Sequence, residues 1–466
     1  MLSARDRIEE LVESNHELID NVNDQIWEFA EVALKEYRSC EFLKETLAQS
    51  GFSIKAGAED VPTSFIAEWG ECKPCIGFLA EYDALEGLSQ KKGATEKQAI
   101  EGRDAGHACG HNSIAASMVG AVVALKLLIE ETGLHGMIRF YGCPAEETVQ
   151  GKVFMSRDGL FDDCDVAFSD HPNDTSYVWA RKSVALLSKK FTFHGKAAHA
   201  GIDPWNGRSA LDAVELMNVA ANYLREHIPP AWRLQYVITD GGRVPNTVPE
   251  RAQVWYAMRA GDHDQIEELH SRLSQIAVNA AGMTGTTVEE EYVSGCYDFL
   301  PNMTLAEMIL SCMREYGAPR WLDEDHSFAK ELYKSMPKGN IKSTYENFSM
   351  TEKDESDGLV NTIYDGYYRN GSLGAATDVG DVSWQIPVGC FSFASTVVGA
   401  PGHSWYYTAA ASSGIGHRGT QNASKILALA AYRILTEPAL LKKAKQEHAD
   451  NTKECKYVCP LDNGNR

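Results

Sequence analysis

Short apolar runs alternate with helical periodicities along most of this chain, and that alternation limits the folds open to it. Helical periodicity covers residues 4 to about 50. A long helix is predicted over 113–131, with Asn112 or Ser113 as its cap. Apolar runs bounded by Pro or Gly predict strands at 64–69, 75–82, 137–141, 165–169 and 387–397. This order predicts an α/β domain with a mixed, partly parallel sheet whose C-terminal edge carries the chemistry.

The pattern of elements changes near Lys182. The elements predicted after it are a strand at 184–194, a helix at 207–227, strands at 232–240 and 252–259, a helix at 264–281 and a strand at 286–293. This β-α-β-β-α-β order is that of the ferredoxin-like unit, so we expect a second domain inserted into the first.

Three segments follow from this change of pattern. We expect residues 1–183 to form the first part of a catalytic domain, 184–297 an inserted lid or dimerisation domain, and 298–466 the second part of the catalytic domain. Within the last segment, residues 321–358 are polar and irregular. We interpret them as a partly helical, exposed insertion.

Charge and cysteine usage exclude some classes of function. The net charge of −21 over 466 residues argues against nucleic acid or an anionic membrane as the main partner, although a small anionic substrate responds to local charge and stays open. The 11 cysteines show no disulfide framework and the first ten residues are charged, so we expect a reducing cytoplasm. No run of about 18 apolar residues occurs, so no membrane span is expected.

The stretch 106–112, Gly-His-Ala-Cys-Gly-His-Asn, places Cys109 and His111 two residues apart, directly before the long predicted helix. In an extended segment such residues point the same way, so a thiolate and an imidazole could hold one zinc or similar ion. The partial positive charge of the helix N-terminus would favour the thiolate. The alternative is a buried cysteine beside a loop histidine.

Glu146 and Glu147 are adjacent carboxylates just past a predicted strand. Adjacent side chains of an extended backbone diverge, so one could hold a metal while the other takes a proton from water and returns it to a leaving amine. The alternative is a solvated acidic loop.

Two further histidines follow predicted strands. His171 precedes Pro172, and His403 lies in a Gly/Pro-rich loop; either one alone is more often structural. Taken together, these strand ends offer Cys, His, Glu, His and His, which is enough for two metals that activate one water. Asp83, at another strand end, could orient a ligating imidazole or could be a turn residue.

The inserted domain carries three candidates of its own. His199 cannot reach a metal at the first sheet without domain closure, but it could donate a hydrogen bond to an oxyanion. Asn246 and Arg259 are candidate donors to a substrate carboxylate, which arginine can grip through two hydrogen bonds. The alternative for Arg259 is a surface salt bridge.

Four motifs together resemble the dinuclear metallo-amidohydrolases of the aminoacylase and carboxypeptidase G type. They are His-Ala-Cys-Gly-His-Asn from His107, Pro-Ala-Glu-Glu from Pro144, Asp-His-Pro from Asp170 and Gly-Lys-Ala-Ala-His-Ala from Gly195. The cysteine in the first motif is typical of the branch in which Cys replaces the usual bridging Asp. The resemblance runs nearly end to end, and implies a zinc-peptidase-like catalytic domain with a ferredoxin-like lid or dimerisation domain.

The same resemblance implies a role for each candidate residue. The metal ligands, for two Mn²⁺ or Zn²⁺ ions per subunit, would be Cys109, His111, Glu147, His171 and His403. Glu146 would be the general acid and base. His199 would reach the active site of a second subunit across a dimer formed by the inserted domains. Asn246 and Arg259 would hold the carboxylate end of the substrate.

The expected activity is hydrolysis of the amide bond of an N-acyl or N-aroyl amino acid with an acidic half, with p-aminobenzoyl-glutamate as the leading candidate. Alternatives are a dipeptidase or an indoleacetyl-amino-acid hydrolase and, in a different class, a non-catalytic partner subunit of a hydrolase complex. The intact Glu146 and full ligand set favour catalysis. The expected partners are a small amide with a free carboxylate and a second copy of the chain or a related subunit.

Overall fold

Two sheets organise the chain, one in each of the two compact units into which it divides. This computed structural model describes residues 2–351, 353–366 and 375–461. The larger unit is built from the chain before Lys182 and from most of the chain after Phe299, and the smaller from Lys182–Phe299 with two short later stretches, 375–381 and 458–461, among the described residues. The catalytic and dimerisation roles expected of these units stay predictions.

The strands are numbered in chain order. They are β1 (Ser53–Ala56), β2 (Phe65–Trp69), β3 (Cys75–Glu81), β4 (Met137–Cys143), β5 (Val166–Asn173), β6 (Ser176–Val178), β7 (Ala185–His194), β8 (Arg233–Asp240), β9 (Arg251–Ala260), β10 (Thr287–Cys296), β11 (Glu355–Ser356), β12 (Leu359–Val360), β13 (Ile363–Tyr364) and β14 (Val388–Ala394).

The helices follow the same convention. They are α1 (Ala4–Ser14), α2 (His16–Phe29), α3 (Tyr37–Gln49), α4 (His111–Thr132), α5 (Gly151–Arg157), α6 (Ala210–Leu224), α7 (His263–Thr284), α8 (Met303–Tyr316), α9 (Asp323–Lys334), α10 (Lys338–Phe348), α11 (Val379–Ser383), α12 (Trp405–Ala411), α13 (Gly414–Thr436) and α14 (Pro438–Thr452).

The sheet of the larger unit has eight strands in the order β1-β2-β4-β3-β5-β14-β6-β13. Its centre is parallel, because β3 pairs in parallel with β4 and β5, and β14 with β5. Strands β1 and β2 add to it in antiparallel fashion. The four central strands therefore end at one edge, as the alternation of strands and helices predicted, and the α/β fold class is confirmed.

Helix α4 lies in the core of this unit, packed against β3, α2 and α13. Most residues of α4 are buried, and so is every residue of β3, which explains why both segments are mainly apolar. Among the described helices, α4 alone is long and apolar enough to cross a membrane by length and composition. However, 89% of its apolar window is buried inside the protein, which is typical of a core helix.

Two local expectations were wrong. The first is the start of the long helix, expected at a cap on Asn112 or Ser113 after extended backbone, and the second is the position of His171 after a strand. Helix α4 begins at His111, and its N-terminal cap is Gly110, which has φ 80° and offers no side chain to the helix end. The segment from Cys109 to His111 is therefore not extended. Strand β5 runs on to Asn173, so His171 lies within the strand, opposite Ser392 of β14, and does not follow its end.

The smaller unit has the predicted ferredoxin-like order. Its strands form an antiparallel sheet in the order β10-β7-β9-β8, and α6 and α7 pack against β7 and β9. Alternate residues of β9 are buried, from Ala252 to Ala260, and they join Phe191 and Phe193 of β7 in one apolar core. This period-two pattern is what a sheet covered on one face requires.

The polar segment 321–358 is more ordered than expected. It forms α9, α10 and β11, and β12 follows directly. Ala329, Leu332 and Leu359 are fully buried, and they cluster with Val397 and Ile415. The segment is therefore partly helical, as predicted, but it also shares a small apolar core with the loop that follows β14 and with α13.

Candidate metal centre

Chemically active side chains converge at the carboxyl edge of the parallel strands. Asp83 follows β3, the pair Glu146 and Glu147 follows β4, His171 lies near the end of β5, and the loop after β14 leads to His403. Parallel strands deliver their ends to one edge, so residues far apart in sequence meet there. Cys109 and His111 reach the same edge from the start of α4.

Cys109 is shared by two groups of potential metal ligands. It groups with His111 and His171, and separately with Glu147 and His403; within each group the ligand atoms lie within 4.8 Å of one another. Its Sγ is 3.4 Å from His171 Nε2. On the other side, Glu147 Oε2 is 3.4 Å from His403 Nε2. The five predicted ligands thus lie together around the thiol, although their role as ligands stays a prediction.

Two of the imidazoles are oriented by hydrogen bonds on their far nitrogen. His111 Nδ1 donates to Asp83 Oδ1 at 2.9 Å, and His171 Nδ1 donates to the carbonyl oxygen of Pro172 at 2.8 Å. The second oxygen of Asp83 accepts the backbone N–H of Glu147 at 2.9 Å. These bonds leave Nε2 of each ring facing the centre, as a metal-binding histidine requires.

The centre fits a cation. His111 Nε2 and Glu147 Oε1 are buried without a hydrogen-bond partner among the residues that the structure describes. Burial raises the pKa of the Glu147 carboxyl to about 7, and burial together with the charge of Glu147 raises the pKa of the Cys109 thiol. Buried acceptors without partners cost free energy that a bound dication offsets, and thiolate, imidazole and carboxylate suit zinc or manganese.

The raised pKa of the Cys109 thiol runs against the expectation that the start of α4 makes Cys109 a thiolate. Burial is the largest cause of this raised pKa, and the negative charge of Glu147 adds to it. A nearby cation would favour ionisation of the thiol.

Glu146 and Glu147 do not lie on the extended backbone that was expected. They open a short 3₁₀ turn, Glu146–Thr148, between Ala145 at φ 57° and Val149 at φ 48°. Glu146 Oε2 and Glu147 Oε1 each lie 3.9 Å from His111 Nε2, and Glu147 Oε2 also lies 3.4 Å from His403 Nε2. Glu146 is 8% exposed, so it is a buried carboxylate beside the centre and not a solvated loop residue.

Glu36 is a supporting residue that the sequence did not reveal. It is fully buried, and Oε1 accepts the backbone N–H of Ala145 at 2.9 Å while Oε2 accepts the hydroxyl of Thr63 at 2.9 Å. Burial and the charge of Asp83 raise its pKa to about 7. It fixes the turn that carries Glu146. Because its partner lies 109 positions away, no local pattern indicates it.

Asp174 ties the loop before His403 to the segment 321–358. Its Oδ2 accepts the backbone N–H of Gly399 and the hydroxyl of Thr344 in α10, both at 2.9 Å. Gly399 has φ 80°, and a Cβ there would lie 2.8 Å from the backbone nitrogen of Ile341. On the other side, the backbone N–H of His403 donates to the carbonyl oxygen of Ala108 at 3.1 Å. The loop is therefore held from both sides.

The other three candidates lie in the smaller unit. His199 is exposed, its Nδ1 accepts the backbone N–H of Gly201 at 3.1 Å, and its backbone pairs with Thr247. Asn246 is next to that pairing, and its carbonyl accepts from Ala200 at 3.0 Å. Arg259 lies in β9. The groups of potential metal ligands found among the described residues all belong to the larger unit.

Comparison with known proteins agrees with this geometry. The B subunit of the p-aminobenzoyl-glutamate hydrolase of Escherichia coli (strain K12) is 36% identical over 465 residues, covering 97% of this chain and 96% of the relative. Residues 183–283 match the M20 peptidase dimerisation domain. The chain belongs to the M20 peptidase family.

Two further proteins extend the comparison. The Xaa-Arg dipeptidase of Mus musculus is 28% identical, covering 95% of this chain and 91% of the relative. The solved YXEP protein of Bacillus subtilis, described as a dinuclear metal binding peptidase from the M20 family, has a TM-score of 0.60 at 15% identity, covering 91% of this chain and 99% of that one. This M20 chain is thus a metal-dependent amidohydrolase of the peptidase type.

Proposed function

We propose that this protein hydrolyses the amide bond of an N-acyl or N-aroyl amino acid with an acidic half, p-aminobenzoyl-glutamate being the first candidate. The observation that carries the proposal is the meeting of Cys109, His111, Glu147, His171 and His403, which are far apart in the sequence, beside a further carboxylate, that of Glu146. The 36% identity to a p-aminobenzoyl-glutamate hydrolase subunit supports the choice of substrate.

In this proposal the five converging residues hold two divalent ions, Mn²⁺ or Zn²⁺. When bound, such ions polarise the scissile carbonyl and make water a better nucleophile at neutral pH. Asp83 keeps the His111 ring in the tautomer that leaves Nε2 available, since it accepts the Nδ1 proton at 2.9 Å. Cys109 belongs to both ligand groups.

Glu146 moves the proton. Its carboxylate lies beside the centre in a largely buried turn, with Oε2 3.9 Å from His111 Nε2. It accepts a proton from the attacking water and gives it to the nitrogen of the leaving amine, which would otherwise depart as a poor leaving group. The hydrogen bond from Ala145 to Glu36 holds this turn in place.

The smaller unit supplies substrate recognition and the dimer in this proposal. Arg259 and Asn246 hold the carboxylate of the substrate, and His199 donates to the oxyanion in the site of a second copy. The outer strand β8 supports pairing with another copy, because it is a sheet edge with Tyr236, Val237 and Ile238 exposed. The eleven cysteines are all free, which supports a reducing cytoplasmic location.

A substrate panel tests the proposal. The purified chain, reconstituted with Mn²⁺ or Zn²⁺, is assayed with p-aminobenzoyl-glutamate, indoleacetyl-aspartate, acetyl-amino acids and simple dipeptides. We expect the highest kcat/KM for acidic C-terminal halves, and Arg259→Ala to raise KM for those substrates selectively. Equal rates on acidic and neutral halves would overturn the assignment of Arg259.

A dipeptidase is the second candidate, because the mouse Xaa-Arg dipeptidase matches 95% of this chain. Dipeptides ending in Arg belong in the same panel and decide between the two. The relative from Escherichia coli is named as a subunit, so the assay is also run on the chain alone. Metal binding without turnover of any substrate would favour a non-catalytic partner subunit.

A further inference from the structure

A fully buried lysine lies beside the candidate metal centre. The side chain of Lys152, the second residue of α5, has no exposed surface, and its Nζ lies 2.6 Å from Oε1 of Glu81 at the end of β3. Lysine is almost never fully buried without a charged partner, because its ammonium loses hydration. The start of α5 also packs closely against Pro144, because a Cβ on Gly151 would lie only 1.7 Å from the Pro144 carbonyl oxygen.

The other oxygen of Glu81 faces the metal centre. Oε2 is 3.5 Å from Nε2 of His111, the buried nitrogen that has no hydrogen-bond partner in the described part of the chain. Asp83 already accepts the proton on Nδ1 of that ring, so Nε2 is the ring nitrogen that remains for a cation, and Oε2 of Glu81 lies beside it. A cation at this point would bind both buried atoms.

The carboxylate of Glu146 lies beside Glu81 and His111. Glu81, His111 and Glu146 form a group whose ligand atoms lie within 4.8 Å of one another. The group shares only His111 with the five predicted ligands. Glu81 itself is 2% exposed, so its other oxygen has the protein and the centre, not bulk water, as its surroundings. Carboxylate oxygen beside imidazole nitrogen is a donor pair that zinc and manganese accept.

We propose that Glu81 is a sixth ligand of the centre, binding through Oε2 the cation that His111 binds, and that Lys152 is the positioning residue that keeps Oε1 away from it. The inference rests on the proposed metal-dependent hydrolysis and adds to it. Because Lys152 holds one oxygen, Glu81 offers only the other. The lysine ammonium, paired with Glu81 Oε1, also offsets one of the acidic groups crowded at this edge.

Metal binding measured apart from activity tests the proposal. The full chain, stripped of metal, is titrated with Mn²⁺ by calorimetry, and the Co²⁺ form is examined by visible absorption, which reports coordination number. The variants are Glu81→Gln and Lys152→Met. The matched control is Glu68→Gln, which removes the charge of another largely buried strand carboxylate in the same sheet, paired with Arg139 at 2.7 Å.

We expect Glu81→Gln to lower the affinity for one of the two Mn²⁺ ions by tenfold or more. We expect Lys152→Met to alter the Co²⁺ spectrum, because the second oxygen of Glu81 is released to the metal. In Lys152→Arg, which serves if the Met variant fails to fold, the retained charge should keep the wild-type metal count. Glu68→Gln should leave Mn²⁺ affinity and the Co²⁺ spectrum unchanged.

Unchanged metal affinity and spectra in the Glu81 and Lys152 variants, with only a lower melting temperature, would show a structural ion pair and overturn this inference alone. Failure of the wild-type chain to bind any metal would overturn the proposed function as well. The two failures are therefore distinguishable.

Discussion

The two sheets of this protein bury different kinds of side chain. In the smaller unit, one face of the sheet packs against α6 and α7 through an apolar core. The charged residues of this sheet lie mainly on its other face and at the strand ends. The sheet of the larger unit has an apolar core as well, but its carboxyl edge also buries Glu81, Asp83, His111 and Lys152. Buried charge costs stability, so its concentration at one edge indicates chemistry rather than packing.

The largest effect that this contrast predicts is at Glu146. Replacing it by Gln removes the proton acceptor and donor but keeps the size of the side chain, so kcat should fall by about 10²–10⁴-fold. Metal content, measured on the purified protein, should stay at the wild-type level, because Glu146 is not one of the five predicted ligands. A rate equal to that of the wild type would rule out the role given to Glu146.

The next effect belongs to the smaller unit and should appear in stability, not in metal binding. Phe191 is fully buried against Tyr256, with ring centroids 5.8 Å apart. Phe191→Ala should lower the free energy of unfolding of this unit by about 3–5 kcal/mol, measured by chemical denaturation. Metal affinity should not change. The control Glu289→Ala, at an exposed position of β10, should stay within about 0.5 kcal/mol.

A smaller effect should follow from Asp83→Asn in the larger unit. The amide can no longer accept both the His111 ring proton and the N–H of Glu147 through charged oxygens. Metal affinity should fall by about 10–100-fold, measured by calorimetry with Mn²⁺. An affinity within twofold of the wild type would show that the tautomer of His111 is held by something other than Asp83.

The smallest effect is a pH dependence in the smaller unit. His270 Nε2 lies 3.0 Å from Glu290 Oε2. Burial alone would lower the pKa of His270, but hydrogen bonds to Glu267 and Glu290 outweigh it and raise the pKa above its ordinary 6.5. Protonated His270 therefore stabilises the fold below pH 6.5, and this contribution is lost as pH rises through the raised pKa.

The His270→Gln variant measures that contribution. It should be less stable than the wild type by about 0.5–1 kcal/mol near pH 6, and the gap should close at higher pH. Burial would raise the pKa of Glu290, but the bond to His270 lowers it to about 2, so a separate loss is expected below pH 4.5. A gap that is constant across pH would contradict the protonated pair.

The difference between the sheets also explains what the sequence could predict. Periodicity alone located the strands and helices of the smaller unit, because alternate residues of a strand such as β9 face one apolar core. In the larger unit the motifs at strand ends identified the residues that meet, from Cys109 to His403. Both cases depend on local pattern.

Long-range polar pairs could not be found in this way. Glu81 and Lys152 are 71 positions apart, and Glu36 and Ala145 are 109 apart, and neither pair has a spacing that secondary structure would mark. The extended backbone assumed for Cys109 and His111 was also wrong, because Gly110 lies in the left-handed region. Tertiary contact, not local preference, decides such geometry.

Gly110 also limits how this centre could be redesigned. A methyl group at this position would come within 2.6 Å of the ring of Pro172, the residue next to His171. Any larger residue would push the segment that carries Cys109 and His111 away from the segment that carries His171. Attempts to change the spacing of the metals would therefore do better to vary the His403 loop, whose side-chain anchor at Asp174 can be altered by substitution.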